Sequence, residues 1–442
     1  MAASSPSTFE QWMEQAASLE RKVENEELSE MEALDAYTQA AAAYTEADRL
    51  QPKDAACLYN WGRVMFILGG FVDGDEDPDE KLRHVSQAIE KFEASVALQP
   101  DNTDALFNLA QALATRCDLL VDNDNDRATG EPLLKRAIAL FDQVYALQEA
   151  ALNNAATATE EASTASSSSS PPPPPTKESL VDTVSAVAEC VTSLACLQET
   201  AKEADALFDD ACQRLERALS LSEERRSDIL CDWAAVLEAK ANHQQQNTAE
   251  RMDAQLYEPA IAKLKEAMAA GPTLADPRCD LGDLYLGIAH GKLIEATLDA
   301  DELDASAEKE QAVARIAAMD DEITPYYEQA CAAFKEAASL EPTNAGIKQK
   351  LGDIYFARSR LPLDSAKAIE QKLLAEAEHW YQATLEVAQD DPEPVIRLAQ
   401  VYDVQGRAED YERLLNQWQK LEGTVNDLYE EDDVFEMEFI DK

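Results

Sequence analysis

The sequence predicts an all-α fold: a right-handed superhelical solenoid of about seven extended helix pairs. Three observations carry this. The chain has 442 residues, more than one hydrophobic core of ~250–300 residues can serve, so it is either several domains or an array that grows linearly. Only 13 residues are glycine and 45% are hydrophobic, which leaves little material for β-turns or phosphate loops but enough apolar surface to offset ordering entropy. A short pattern also recurs along the chain, as repeat architectures require.

The first helix of each pair carries a large apolar residue, a small one, and another large residue three positions later. Examples are Trp61-Gly62…Met65-Phe66, Leu109-Ala110…Leu113, Val187-Ala188…Val191, Trp233-Ala234…Leu237, Leu281-Gly282…Tyr285, Leu351-Gly352…Tyr355 and Leu398-Ala399…Tyr402. The second helix reads Ala-x3-aromatic/Leu-x2-small, as in Ala40/Tyr44/Ala47, Ala88/Phe92/Ser95, Ala260/Leu264/Ala267 and Ala330/Phe334/Ala337. Weaker copies stand at Ala137/Phe141, Ala211/Leu215 and Ala377/Tyr381. Small residues at i and i+7 around a large one at i+4 share one helix face and permit close helix packing. Pro52, Pro100, Pro272 and Pro342 then end the second helix.

These residues resemble the tetratricopeptide repeat, with Trp-x2-Leu-Gly-x2-Tyr on helix A and Ala-x3-Phe-x2-Ala-x4-Pro on helix B, over roughly residues 30–420. That family sets the small helix-A residue ten positions after the helix-B proline. Pro52→Gly62, Pro100→Ala110, Pro272→Gly282 and Pro342→Gly352 obey the offset. The departure is regular too: Gly62→Ala88 spans 26 positions, Ala110→Ala137 27, Ala234→Ala260 26 and Gly352→Ala377 25, about fourteen more than the family expects. The extra length falls in one connection, lengthening helices and adding acidic loops at Asp73–Asp79 and Asp122–Asp126, with an extra helix expected around Ala305–Met319.

The expected organisation is an N-terminal helix or cap over 1–29, repeats over 30–150, a disordered Ser/Pro-rich insertion over 151–178, repeats over 179–422 and an acidic tail over 423–442. The insertion ends in five serines and five prolines, Ser166–Pro175. The longest apolar run, Val64–Val72, is shorter than the ~20 residues of a membrane span. The N-terminus has no arginine before Arg21, unlike a secretory or transit peptide. Cytosol or nucleus, or both, is the expected location. The eight cysteines form no Cys-x-x-Cys pair and read as small core residues.

No phosphate-binding glycine loop, nucleophile elbow or zinc-protease motif occurs, and the four histidines are scattered. The acidic runs lack the EF-hand's glycine and terminal glutamate. The expectation is therefore no enzyme, no cofactor and no metal. With 87 acidic against 38 basic residues the net charge is -49, which argues against direct nucleic-acid binding.

What remains is protein binding. The resemblance implies a groove lined by helix-A positions six before, three before, one after and four after the small residue. In this sequence those positions include Asp104, Asp182, Glu189, Asp228, Glu238, Asp276, Asp283, Asp353, Glu393 and Asp403, with Tyr59, Arg63, Phe66 and Phe107 toward the first two repeats. A negative groove with an aromatic end suits a basic, partly extended protein client. The bland alternative is a solubilising coat, with Asp104, Asp228 and Asp276 serving as caps or first-turn residues. The carboxylate clamp of Hsp70/Hsp90 co-chaperones keeps its Asn-like positions, Asn60 and Asn108, but not its basic ones; an organelle import receptor-like protein is a further alternative. Leu281–His290 is also similar to the fungal enhancer-of-translation-termination family, which implies nuclear proteins acting in translation control; that family's Lys/Arg-rich N-terminus is absent.

Overall fold

A computed structural model describes residues 6–25, 28–72, 77–124, 126–161, 175–248, 251–298 and 313–421. Among these the only regular structure is helical, and the chain divides into two compact units, residues 1–225 and 226–442. Among the described residues each unit is a run of four helix hairpins.

In the first unit α1 (Phe9–Asn25) packs on α2 (Glu30–Leu50), α3 (Ala55–Gly70) on α4 (Pro78–Leu98), α5 (Thr103–Asp124) on α6 (Arg127–Glu161), and α7 (Lys177–Cys196) on α8 (Ala201–Leu219). In the second unit α9 (Arg226–Thr248) pairs with α10 (Glu258–Ala270), preceded by a 3-10 turn at Ala254–Tyr257, and α11 (Asp276–Leu298) with α12 (Asp320–Leu340). Next, α13 (Ala345–Arg360), followed by the short α14 (Asp364–Ala368), pairs with α15 (Glu370–Leu385), and α16 (Pro392–Val404) with α17 (Ala408–Lys420). The helix-A and helix-B patterns each show seven copies, but they are offset by one. The cap expected over 1–29 supplies α1, the first helix A, with Ala16 fully buried, and α17 is the last helix B, with Leu414 and Trp418 buried.

The repeating residues do the work their spacing implies. The helix-B aromatic lies across the small helix-A residue of its own hairpin. A Cβ on Gly62 would stand 2.7 Å from the Phe92 ring, one on Gly282 2.5 Å from Phe334, and one on Gly352 2.6 Å from Tyr381. Phe92, Phe141, Leu215 and Tyr381 are fully buried, each contributing roughly 1.5–3 kcal/mol of apolar burial. The last small residue of the motif closes helix B: the N–H groups of Gln51, Gln99, Gly271 and Glu341 donate to the carbonyls of Ala47, Ser95, Ala267 and Ala337. After the prolines, the Asp54 and Asn344 side chains cap α3 and α13, and Asn102 accepts from the N–H groups of Asp104 and Ala105 at the start of α5.

Two local expectations change. The insertion was placed from residue 151, yet α6 continues to Glu161, because Ala-rich sequence extends a helix at little cost; residues 162–174 lie outside the described residues. The acidic connections are partly helix ends: Asp77 caps α4, Asp122 lies within α5, and Asp126 accepts from Thr129 N–H. A helical turn occupies 313–318, while 305–312 and the tail from 422 lie outside the description. By length and composition α7 could cross a membrane; here it is a core helix between α6 and α8, with ten buried residues.

Candidate protein-interaction surface

Because helices B bury their aromatics against helices A, the opposite side of each helix A is free to carry function. Neighbouring helices A touch, α3 with α5 and α5 with α7 in the first unit, and α9 with α11 and α13 with α16 in the second. Each unit therefore presents a helix-A face.

In the first unit, Tyr59, Phe66 and Phe107 are half-buried on α3 and α5. Tyr59 lies 6.2 Å from Phe92 between ring centres, and Phe107 packs edge-on against Phe141 at 5.1 Å. Arg63 is not a free cation. Its guanidinium stands 3.4 Å from Glu20 of α1, a buried carboxylate that also accepts the Tyr44 hydroxyl at 2.5 Å. Arg63 thus joins the first two hairpins. Asp104 and Glu189 are exposed, whereas Asp182 is taken by Arg225 at 2.9 Å.

The second unit sorts its carboxylates into two kinds. Asp228 and Asp276 are exposed in the first turns of α9 and α11, where they favour the helix dipole, as Asp104 does in α5. Glu393 does the same on α16, and Asp403 is exposed near its end. Asp353 is different: half-buried, it accepts the Tyr381 hydroxyl at 2.6 Å and is pushed up to about 6, chiefly by burial, against the lowering effects of that bond and of Arg397. Asp283 is paired with Lys350 at 3.0 Å. Glu238 is raised by burial and then by Asp283 and Asp280.

A column two residues before the small one was missed in the groove reading. It holds Asn108, Asp232, Asp280, Lys350 and Arg397. From this column contacts reach back to the preceding helix A. Asn108 donates to the Tyr59 hydroxyl at 3.1 Å and Asp280 bonds the Cys231 thiol, both from this column to the position three before the small residue. Lys350 and Arg397 instead meet Asp283 and Asp353, one past the small residue. The later repeats of the second unit therefore neutralise their own acidic positions. On α9 and α11 the column is itself acidic, and Asp280 is raised by loss of hydration and by Asp276, Asp283 and Asp232. The signal was available: the same register count, moved to one further position.

Other cations join helices B to one another. Arg136 bridges to Glu93 at 2.6 Å, Arg214 to Asp142 at 2.6 Å and Arg217 to Glu149 at 2.7 Å, joining α4, α6 and α8. In the second unit Lys335 reaches Glu376 at 3.5 Å, joining α12 to α15. Helices B are thus stitched by ion pairs while the helix-A faces keep surplus carboxylate. Among the described residues no group of three or more His, Cys, Asp or Glu side chains is placed to hold a metal ion.

The helix-pair register resembles that of tetratricopeptide repeats. A family model described as the plant-specific mitochondrial import receptor subunit TOM20 matches residues 31–168, less than half of the chain. Among solved structures, a thermophilic tetratricopeptide-repeat protein of Thermus thermophilus is 15% identical over 63% of this chain and 100% of its own, with a TM-score of 0.34. The assembly chaperone of RpL4 (residues 1–338) is 11% identical over 91% of this chain and 98% of its own, TM-score 0.36. The nuclear import adaptor Nro1 of S. pombe is 10% identical over 88% and 97%, TM-score 0.32. No curated protein matches the chain.

Proposed function

We propose that the chain is a non-enzymatic interaction scaffold whose helix-A faces hold a protein client rich in lysine and arginine. One observation carries this reading: on α9 and α11, Glu238 and Asp280 are raised by lost hydration and by the carboxylates around them. Carboxylates in that condition gain from an incoming cation, since pairing relieves both desolvation and mutual repulsion. In this reading the chain works in the cytosol or nucleus, in translation control or the escort of ribosomal or nuclear factors, and the likeness of Leu281–His290 to the fungal termination family is consistent with it. Capture of proteins from lysate at low salt and at ~0.5 M salt tests it. Basic proteins should dominate and be lost at high salt; neutral or acidic partners that are insensitive to salt would overturn it.

The family-model match over residues 31–168 favours a second reading, an import receptor-like role for the first unit. A basic organelle-targeting peptide that binds the full chain no better than its neutral counterpart would remove it.

A further inference from the structure

We infer that Met252 is a reversible oxidation site: its thioether is the latch of a clasp that ties the connection between α9 and α10 to α11, and conversion to the sulfoxide opens the clasp. A glycine makes the seat. Gly291 lies inside α11, where glycine is a poor helix former, and a Cβ there would stand 2.9 Å from Met252 Sδ, 3.0 Å from its Cε and 3.3 Å from its Cγ. The sulfur therefore rests on helix backbone, at an approach that only glycine allows. Met252 is half-buried against the core of the second unit, while Arg251 and Asp253 on either side of it are exposed. Side chains of two helices hold this stretch. The Met252 N–H donates to Glu295 of α11 at 2.9 Å, the Asp253 N–H to Gln245 of α9 at 2.8 Å, and Gln245 Nε2 donates to the Arg251 carbonyl at 3.2 Å. The Arg251 guanidinium also meets Glu295 at 3.2 Å, but its side chain is almost wholly exposed and the pair adds little. Residues 251–253 are thus a bridge between neighbouring helices A, with the Met252 sulfur as its apolar contact on α11.

The oxidant is hydrogen peroxide. The sulfur lone pair takes one oxygen atom, the O–O bond breaks, and the departing hydroxide gains a proton and leaves as water; the sulfur is oxidised and the peroxide reduced. The product no longer suits the seat. Oxidation turns a flexible apolar side chain into a polar one, and the helix backbone beneath it offers only N–H groups already committed to their own helical carbonyls. The sulfoxide oxygen finds its hydrogen bonds in water, once the side chain has lifted from Gly291. The Met252 N–H then draws away from Glu295 and the bridge is released from α11. Place in the chain selects this methionine: Met13, Met31, Met65 and Met268 lie within helices, and Met31, 80% exposed, serves as an internal control that oxidises without releasing a connection.

Graded hydrogen peroxide on the full chain, followed by peptide mass spectrometry and by hydrogen exchange over residues 251–257, tests this. Met31 and Met252 should each gain one oxygen, and exchange over 251–257 should become about tenfold faster in step with Met252 and not with Met31. Methionine sulfoxide reductase should restore the slow exchange. Met252→Leu keeps the volume without the sulfur, so peroxide should leave its exchange over 251–257 unchanged. Met252→Gln sets a polar group on the seat and should exchange fast with no peroxide added. A Met252 that stays unoxidised in the folded chain while Met31 reacts, or a Met252→Leu variant that responds to peroxide as the parent does, refutes the inference; neither result bears on the basic-client reading.

Discussion

The small residue of helix A and the ring of helix B set the hairpin, so a methyl group added at that contact should do harm although alanine is the better helix former. Gly352→Ala is the sharpest case. The added Cβ would stand 2.6 Å from the Tyr381 ring, closer than packed carbons allow, and the ring cannot retreat. Tyr381 is fully buried, and its hydroxyl is tied to Asp353 at 2.6 Å. Overpacking of this kind costs about 1–3 kcal/mol, while replacing glycine within a helix returns up to about 1 kcal/mol. Because the ring is pinned, a net loss of about 1–2 kcal/mol is expected, or roughly 3–6 °C in melting temperature for a unit of this size. Gly287→Ala supplies the control in the same unit. Gly287 lies in α11 and a Cβ there would meet nothing within 4 Å, so this variant should gain about 0.5–1 kcal/mol. Urea unfolding followed by circular dichroism measures both. If the two variants shift the midpoint in the same direction, the ring-over-glycine account of the repeat is wrong.

Other consequences concern charge. The folded-state carboxyl of Asp353 is raised to about 6 against an unfolded value near 4, so the native chain binds more protons than the unfolded one in that window and stability falls as pH rises through 6. Going from pH 7.5 to 5.5 should stabilise the second unit by about 1 kcal/mol from this group, and Asp353→Asn, which keeps an acceptor for Tyr381, should flatten the dependence; a urea midpoint that drops on acidification would contradict this. Lys350→Ala frees Asp283 from an exposed ion pair, so stability should change by less than about 0.5 kcal/mol while affinity for a basic peptide rises a few-fold; a fall in affinity would show that Asp283 takes no part.

Most of the architecture was legible because backbone periodicity and side-chain size are written locally. The ten-position step from proline to small residue placed Gly62, Ala110, Gly282 and Gly352 on helix A, and the paired rings of Phe92, Phe141, Phe334 and Tyr381 on helix B. The end helices α1 and α17 escaped the pattern because each has a neighbouring hairpin on one side only, and a relaxed packing demand lets the motif drift. The end of α6 escaped because alanine and threonine over 153–161 were read as spacer, whereas helix propensity decides there. The surface was less legible. Register put Asp283 and Asp353 on the correct face, but what each carboxylate does depends on the residue two before the next small one, a partner nearly seventy positions away for Asp283 and over forty for Asp353. Arg63 looked like a groove cation until α1 brought Glu20 beside it. Such pairings are decided by three-dimensional neighbours, which a single helix-A register does not contain.

The central claim is that the helix-A carboxylates of α9 and α11 are a binding surface and not a coat. Its most direct test is the affinity of a lysine- and arginine-rich polypeptide for the full chain and for a variant carrying Glu238→Gln, Asp280→Asn and Asp283→Asn, titrated at two salt concentrations. The account predicts about tenfold weaker binding and a shallower salt dependence in the variant, with thermal stability equal to or above that of the parent because Glu238 and Asp280 no longer carry their raised charges. Equal affinity and equal salt dependence in the two proteins would contradict it.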